Sequence, residues 1–126
     1  MSTFFISPSK PPNLDESMEY RIDPAEYAAR MRQRWPDSKL LEVKSGGYIL
    51  HWELNQGGRL GLSGGLQSNR LVVSFGSSPR TDAIDFAHWH RGFVPAGIIL
   101  YLFDANLELV VELTPGMDMQ SLASSI

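Results

Sequence analysis

The sequence predicts an α+β domain with a single antiparallel sheet of about six strands and two helices packed on one face of it. Two segments carry the start and stop signals of helices, and six others have the composition and period of strands. The connections between four consecutive strands are too short for the crossovers that parallel strands need. The predicted order of elements is therefore αββββαββ, with both helices on the same side of the sheet.

The start of the chain differs in composition from the rest. Proline, serine and acidic residues are frequent there, so we expect residues 1–22 to form a mobile or loosely docked arm. Residues 4–6 are apolar and could add a strand at one edge of the sheet. The remaining residues, 23–126, should form one α+β domain with a short C-terminal tail.

The first predicted helix has the clearest start signal in the chain. Asp23 is a favourable N-cap, Pro24 occupies the first helical position, and Glu26 follows three residues after the cap. The helix should run to about Trp35, because Pro36 cannot continue it. Its apolar residues recur at helical spacing and form a stripe that should pack on the sheet.

The second predicted helix follows the first four strands. It should start at Thr81 or Asp82 and end near Arg91, where Gly92 is a typical C-terminal stop. A short tail helix is also expected after Thr114-Pro115, which offer an N-cap and a first-turn proline.

Four strands should lie between the two helices, over residues 39–44, 48–54, 59–67 and 70–75. Turn residues separate them at 45–47, 55–58 and 68–69, and a loop follows at 76–80. The third strand is unusual because it contains Gly61, Gly64 and Gly65. Glycine within a strand marks a bulge, a bend, or the close approach of another backbone or a ligand.

The last two strands should form a hairpin over residues 97–113. Asp104-Ala105-Asn106 has the composition of a three-residue loop, which would pair Phe103 with Leu107. That register puts Ile99, Tyr101 and Phe103 on the core face. The other face would then be half apolar, with four exposed aliphatic side chains: Ile98, Leu100, Leu102 and Val110.

Composition excludes several classes of function. The 126 residues include no cysteine, so disulfides, thiolate nucleophiles and cysteine-ligated metals are excluded. The formal net charge of −3 argues against a nucleic-acid-binding surface. Because neither a signal peptide nor a membrane span is visible, we expect a soluble, cytoplasmic protein without a membrane partner. Nothing in the sequence indicates a cofactor.

One short motif resembles the nucleophile motif of serine hydrolases. Gly61-Leu62-Ser63-Gly64-Gly65 has the letters G-x-S-x-G, and histidines and acidic residues follow it. A nucleophile elbow requires a strand, a tight turn and then a helix, whereas here a further strand is predicted. A glycine-rich strand is the alternative interpretation of the motif.

The three histidines offer a second candidate site. On a helix, His88 and His90 point roughly 200° apart, so they cannot bind one metal ion together. Asp85 and His88 share a helix face, and His51 is the remaining histidine. We therefore take His51, Ser63, Asp85 and His88 as a candidate pocket without assigning a metal site. The alternative is that these histidines are ordinary surface or interface residues.

Two residues of the second helix extend the candidate interface of the hairpin. Trp89 lies off the apolar stripe, and Arg91 follows it closely. Tryptophan and arginine dominate interface energetics, and a monomer seldom exposes an apolar patch such as the second hairpin face. We therefore expect a protein partner or a homo-oligomer.

The leading hypothesis is a non-catalytic module that binds a protein or self-associates, such as an inhibitor or an immunity-like factor. Its support is the absence of a catalytic constellation together with the apolar second face of the hairpin. The argument for an outside partner would be lost if the chain's own helices covered this face. The alternative is a small enzyme or ligand-binding domain with a His- and Asp-lined pocket, which could be metal-dependent.

Overall fold

The computed structural model describes residues 2–11, 13–43, 46–56, 59–77 and 80–126. Its elements, in chain order, are β1 (Ser2–Ser7), α1 (Pro24–Arg34), β2 (Lys39–Glu42), β3 (Tyr48–Gln56), β4 (Arg59–Gln67), β5 (Val73–Ser77), α2 (Arg80–Phe93), β6 (Leu100–Asp104), β7 (Val110–Leu113) and α3 (Met119–Ser125). The seven strands form one antiparallel sheet in the order β2-β3-β4-β5-β1-β6-β7. The α+β class and the single antiparallel sheet are confirmed. The sheet has seven strands where about six were expected, and the tail helix α3 joins the two helices of the predicted order.

Several predicted turns lie outside the described residues. These are the turn at Ser45, the turn at Gly57-Gly58, and the loop at Ser78-Pro79.

Strand β1 lies inside the sheet and not at its edge. It pairs with β5 on one side and with β6 on the other, and Phe4 and Ile6 are 5% and 0% exposed. At the end of the expected arm, Ile22 is buried and its N–H donates to the Arg70 carbonyl at 2.9 Å. The prediction of a loosely docked arm over residues 1–22 is therefore wrong for these residues. The prediction relied on the prolines after residue 7, which carry no information about how the strand before them pairs.

Helices α1 and α3 begin where a side chain accepts a hydrogen bond from a free N–H group. The carboxylate of Asp23 accepts a hydrogen bond from the Ala25 N–H at 3.0 Å, as the N-cap prediction requires. Helix α2 continues through Gly92 to Phe93, slightly beyond the predicted stop. The tail helix α3 is capped by Asp118 and starts later than Thr114-Pro115 would place it.

All three helices contribute to one core on one side of the sheet. Tyr27 and Met31 of α1, Phe86 of α2 and Leu122 of α3 are each at most 1% exposed. They share a single cluster with alternate strand residues, which include Phe4, Ile6, Leu50, Trp52, Leu54, Leu62, Leu66, Val73, Phe75, Leu100, Leu102 and Leu113. Successive strand residues point to opposite faces, so the helices cover only one face of the sheet.

The predicted register of the hairpin is wrong. Phe103 pairs with Val110 and not with Leu107. Because the partner shifts by an odd number of residues, one of the two strands must present its other face to the core, and that strand is β6. Strand β7 keeps Val110 on the exposed face, as predicted. Leu100 and Leu102 point under the helices and are 2% and 1% exposed.

The longer loop between β6 and β7 explains the error. The Asp104 carboxylate accepts a hydrogen bond from the Leu109 N–H at 3.1 Å, and the Asp104 carbonyl accepts one from the Leu107 N–H at 3.1 Å. Leu107 adopts a φ of 57°, which leucine seldom takes. The loop therefore uses a conformation that residue propensities do not predict.

Candidate functional site

The side of the sheet away from the helices carries a continuous row of residues, one from each strand. Directly opposed residues of paired strands point to the same face, so the register identifies the row. Its members are Leu41, His51, Gly65, Ser74, Phe5, Phe103 and Val110. We call the side of the sheet marked by this row the open face.

A groove crosses the part of the open face that is formed by β1 to β5. Its volume is about 780 Å³. Seven of the side chains that line it are Thr3, Lys39, Leu41, His51, Glu53, Ser63 and Ser74. Small residues form its floor on β4 and β5, where Ser63 pairs with Gly76. Larger side chains of β2 and β3 form one wall.

Gly65 allows two aromatic rings to lie against β4. A Cβ atom at Gly65 would come within 2.8 Å of both the His51 Cδ2 and the Tyr48 Cδ1. The rings of Tyr48 and His51 are 5.1 Å apart, and the Tyr48 hydroxyl is hydrogen-bonded to the Ser74 hydroxyl at 2.8 Å. Glycine is thus required here for close packing of the side chains beside the groove.

Gly64 has the same role on the helix side of the strand. A Cβ atom at Gly64 would come within 2.9 Å of the Trp52 Nε1 and would also collide with the Ser74 carbonyl oxygen. The two adjacent glycines therefore admit bulky neighbours on both faces of β4. The unusual composition of this strand is explained by packing.

The structure separates the four residues of the predicted pocket. His51 and Ser63 both line the groove, where Ser63 is exposed. Asp85 and His88 belong to α2, which packs on the other side of the sheet. Asp85 forms a salt bridge with Arg34 at 2.6 Å. Within the described ranges, no three histidine or acidic side chains are placed to hold a metal ion.

Ser63 lies in the middle of β4 and not at a strand-to-helix elbow. Glu53 is directly opposite Ser63, and His51 is the next open-face residue along β3. Among the described residues, no hydrogen bond joins any two of these three side chains. They are neighbours on one surface, but they do not form the relay that activates a serine nucleophile.

His88 and His90 occupy opposite environments, as their helical spacing predicted. His88 is exposed, whereas His90 is 0% exposed. The His90 Nδ1 is hydrogen-bonded to the Tyr27 hydroxyl at 2.8 Å, and its Nε2 has no partner among the described residues. Burial, with a smaller contribution from the charge of Arg91, lowers the pKa of His90 to about 3. His90 is therefore a neutral core residue at ordinary pH.

Arg91 is a structural residue and not the exposed contact that the sequence suggested. It is 5% exposed, and its guanidinium donates four hydrogen bonds to backbone carbonyls. The acceptors are Ile98 at 2.8 Å, Leu113 at 3.1 Å, Val94 at 3.2 Å and Pro95 at 2.8 Å. Arg91 thus holds the segment after α2 against the end of β7.

The other predicted interface residues fall into three groups, which are buried, partly buried and exposed. Leu100 and Leu102 are buried under the helices, which removes the argument that they call for an outside partner. Ile98 and Trp89 are partly buried against the same core. Val110 alone of the hairpin set remains exposed on the open face, at 42%.

Sequence reasoning missed several residues of the open face. Lys39 and Glu53 are cross-strand partners at the groove, and Phe5 stacks on Phe103 with ring centroids 5.4 Å apart. The alternation of β3 had already placed Glu53 beside His51. The position of Phe5 could not be found in this way, because β1 was not recognised as an interior strand.

None of the helices in the described part of the chain has the length and apolar composition that crossing a membrane requires.

A scan against protein-family models, a search of the curated proteins and a search of the solved structures each found no match. The geometry of the open face is therefore the basis for inferring function.

Proposed function

We propose that the chain is a non-catalytic protein-binding module that engages a polypeptide through the open face of its sheet. The observation that carries this proposal is the one-sided packing of the fold. Three helices cover one face, while the other face keeps a groove of about 780 Å³ and leaves Leu41 and Val110 exposed. Sheets commonly bury an apolar face against another layer, and uncovered apolar patches often mark interaction sites.

The composition of the open face fits a protein interface. Leu41 is 63% exposed and Val110 is 42% exposed, near opposite ends of the face. Between them lie aromatic rings, and Lys39 and Glu53 supply charge beside the groove. Interfaces combine apolar and aromatic contacts with a polar, solvated rim. An inhibitor or an immunity-like factor is one kind of protein that acts through such a surface.

A non-catalytic role is supported by where the reactive side chains lie. His51 and Ser63 share the groove without a hydrogen bond between them, whereas Asp85 and His88 lie on the helix side. Catalysis by a serine or a histidine requires a base held within hydrogen-bond reach of the reacting group. In the groove, by contrast, the side chains of His51 and Ser63 are not joined by a hydrogen bond.

One observation favours a second candidate function, which is binding of a small molecule. The groove volume lies within the usual range of ligand pockets, and His51, Glu53 and Ser63 all line it. A ligand in this groove should raise the melting temperature of the native chain but not that of the Ser63→Trp variant, in which an indole fills the groove. Screening both proteins against the same set of small molecules tests this candidate.

Site-specific photo-crosslinking tests the proposed function. A benzoylphenylalanine is introduced at Ser63, on the open face, or at Arg32, which is exposed on α1. Each full-length variant is expressed in the source organism and irradiated. We expect a discrete protein adduct from position 63 and none from position 32.

An adduct supports the proposal only after reconstitution. The crosslinked protein is purified and titrated into the native chain and into the Ser63→Trp variant by calorimetry. Binding that the substitution weakens at least about tenfold supports the open face as the binding surface. Equal adducts from both positions, no adduct from position 63, or unchanged binding by Ser63→Trp would refute it.

A further inference from the structure

The open face carries large side chains on one half and small residues on the other. Phe5 and Phe103 are half-buried, and Pro11 and Leu14 lie beside Phe103. Phe5, Phe103 and Val110 occupy successive strands β1, β6 and β7, and we call these three residues the ridge. The phenylalanine rings of the ridge are stacked at 5.4 Å with an angle of 18° between their planes. The groove floor lies next to the ridge, on β4 and β5, where the residues are small.

We infer that the polypeptide bound by the open face is a second copy of this chain, packed face to face about a two-fold axis. This inference rests on the proposed function and deepens it by naming the partner. An axis parallel to the strands and passing between β5 and β1 places β5 over β1, β4 over β6, and β3 over β7 of the second copy. A two-fold interface requires a surface that is complementary to itself.

The register shows which side chains would meet. Phe5 of each copy would lie over Ser74 of the other, at the floor of the groove. Phe103 would meet the rings of His51 and Tyr48, which rest on Gly65, so that aromatic side chains pack together. Val110 would lie over His51. Each large residue of the ridge is thus opposed by a small residue or by a flat ring.

The area of the face sets the strength of this association. Six overlapping strands at about 4.8 Å spacing, each contributing about 17 Å of length, cover about 500 Å² per copy. The two copies together bury about 1,000 Å², close to the lower limit for a specific interface. We therefore expect a reversible dimer that forms at micromolar or higher concentration.

Leu41 provides a matched control. It is the most exposed large apolar residue of the described chain, at 63%, and it lies on the same face as Val110. With the axis between β5 and β1, however, β2 extends beyond the overlap of the two copies. Leu41→Lys therefore makes at the rim of the inferred interface the same kind of change that Val110→Lys makes beneath the second copy.

Sedimentation velocity of the full chain from about 1 µM to 1 mM measures the association. We expect a monomer–dimer equilibrium for the native chain and for Leu41→Lys. Val110→Lys should raise the dissociation constant at least about tenfold, because each dimer contains the buried charge twice. The double variant Val110→Lys/His51→Glu should restore much of the affinity, since opposite charges then face each other across the axis.

The possible outcomes distinguish three claims: that the chain self-associates, that the dimer has the inferred geometry, and that the open face binds a protein. A native chain that stays monomeric at 1 mM overturns self-association, while an open-face adduct with another protein leaves the proposed function standing. Equal weakening by Leu41→Lys and Val110→Lys, or a double variant no better than Val110→Lys alone, overturns the inferred geometry. If the chain is monomeric and position 63 gives no adduct, the proposed function falls as well. Circular dichroism of each variant confirms that it is folded.

Discussion

His90 should make the stability of the protein depend on pH in a way that one substitution can isolate. Its pKa is lowered from 6.5 to about 3 in the folded chain, where the side chain is 0% exposed. Below pH 6.5 the unfolded chain therefore binds a proton that the folded chain does not accept until about pH 3. Stability contributed by neutral His90 is present above pH 6.5 and is lost as the pH falls through this window.

The size of the effect follows from the shift. At pH 5 the difference in protonation costs about 2 kcal/mol, and the limit at low pH is about 5 kcal/mol. Carboxylates also titrate near the lower end of this range, so the contribution of His90 must be measured as a difference between variants. His90→Asn keeps a polar atom near the Tyr27 hydroxyl and cannot take up a proton in this range.

Urea unfolding at pH 7 and pH 5 measures the contribution. The native chain should lose about 2 kcal/mol more free energy of unfolding between these pH values than His90→Asn does. His88→Asn is the matched control, because His88 is exposed on the same helix, and it should behave like the native chain. If His90→Asn shows the same pH-dependent loss as the native chain, the assignment of a neutral, buried His90 is refuted.

Three further predictions concern stability and are checked by the same urea measurements. Gly64→Ala should lower the free energy of unfolding by about 3 kcal/mol or more, because its Cβ would collide with backbone and indole atoms. Gly92→Ala, with open space beside it in α2, should raise the free energy of unfolding by about 0.5 to 1 kcal/mol. Equal effects of the two substitutions would contradict the packing of β4. Arg91→Met should cost about 3 to 5 kcal/mol, because four carbonyls lose their donor, and a loss below about 1 kcal/mol would rule out its role. Leu107→Gly should raise the free energy of unfolding by up to about 1 kcal/mol, because glycine adopts the left-handed conformation of residue 107 without strain. A clearly lower free energy of unfolding would contradict the loop conformation.

Much of the fold could be predicted because local signals and tertiary packing agree. The cap at Asp23 starts α1 as expected, and the alternation of β3 places Trp52 in the core and His51 outside. These segments have strong signals of their own. In the hairpin, by contrast, two registers are equally apolar, and the Asp104 side chain selects the longer loop. Nothing in residue type indicates that choice.

The candidate site was predictable only in part, for a related reason. His51 and Ser63 were recognised by their chemistry, and both line the groove. Asp85 and His88 were grouped with them because a sequence does not show on which side of a sheet a helix packs. Phe5 was missed because its strand pairs with β5 and β6, which come much later in the chain.

The central claim is that the side of the sheet away from the helices is open, and thiol labelling tests it most directly. The chain has no cysteine, so single cysteines can be introduced at Ser63 on the open face and at Leu102 under the helices. At a concentration well below the micromolar range, where the inferred dimer dissociates, Ser63→Cys should react with a thiol reagent at nearly the rate of an unfolded chain. Leu102→Cys should react at least about a hundredfold more slowly, because it must wait for unfolding. Fast labelling of Leu102→Cys in a folded variant, or protection of Ser63→Cys, would contradict the account.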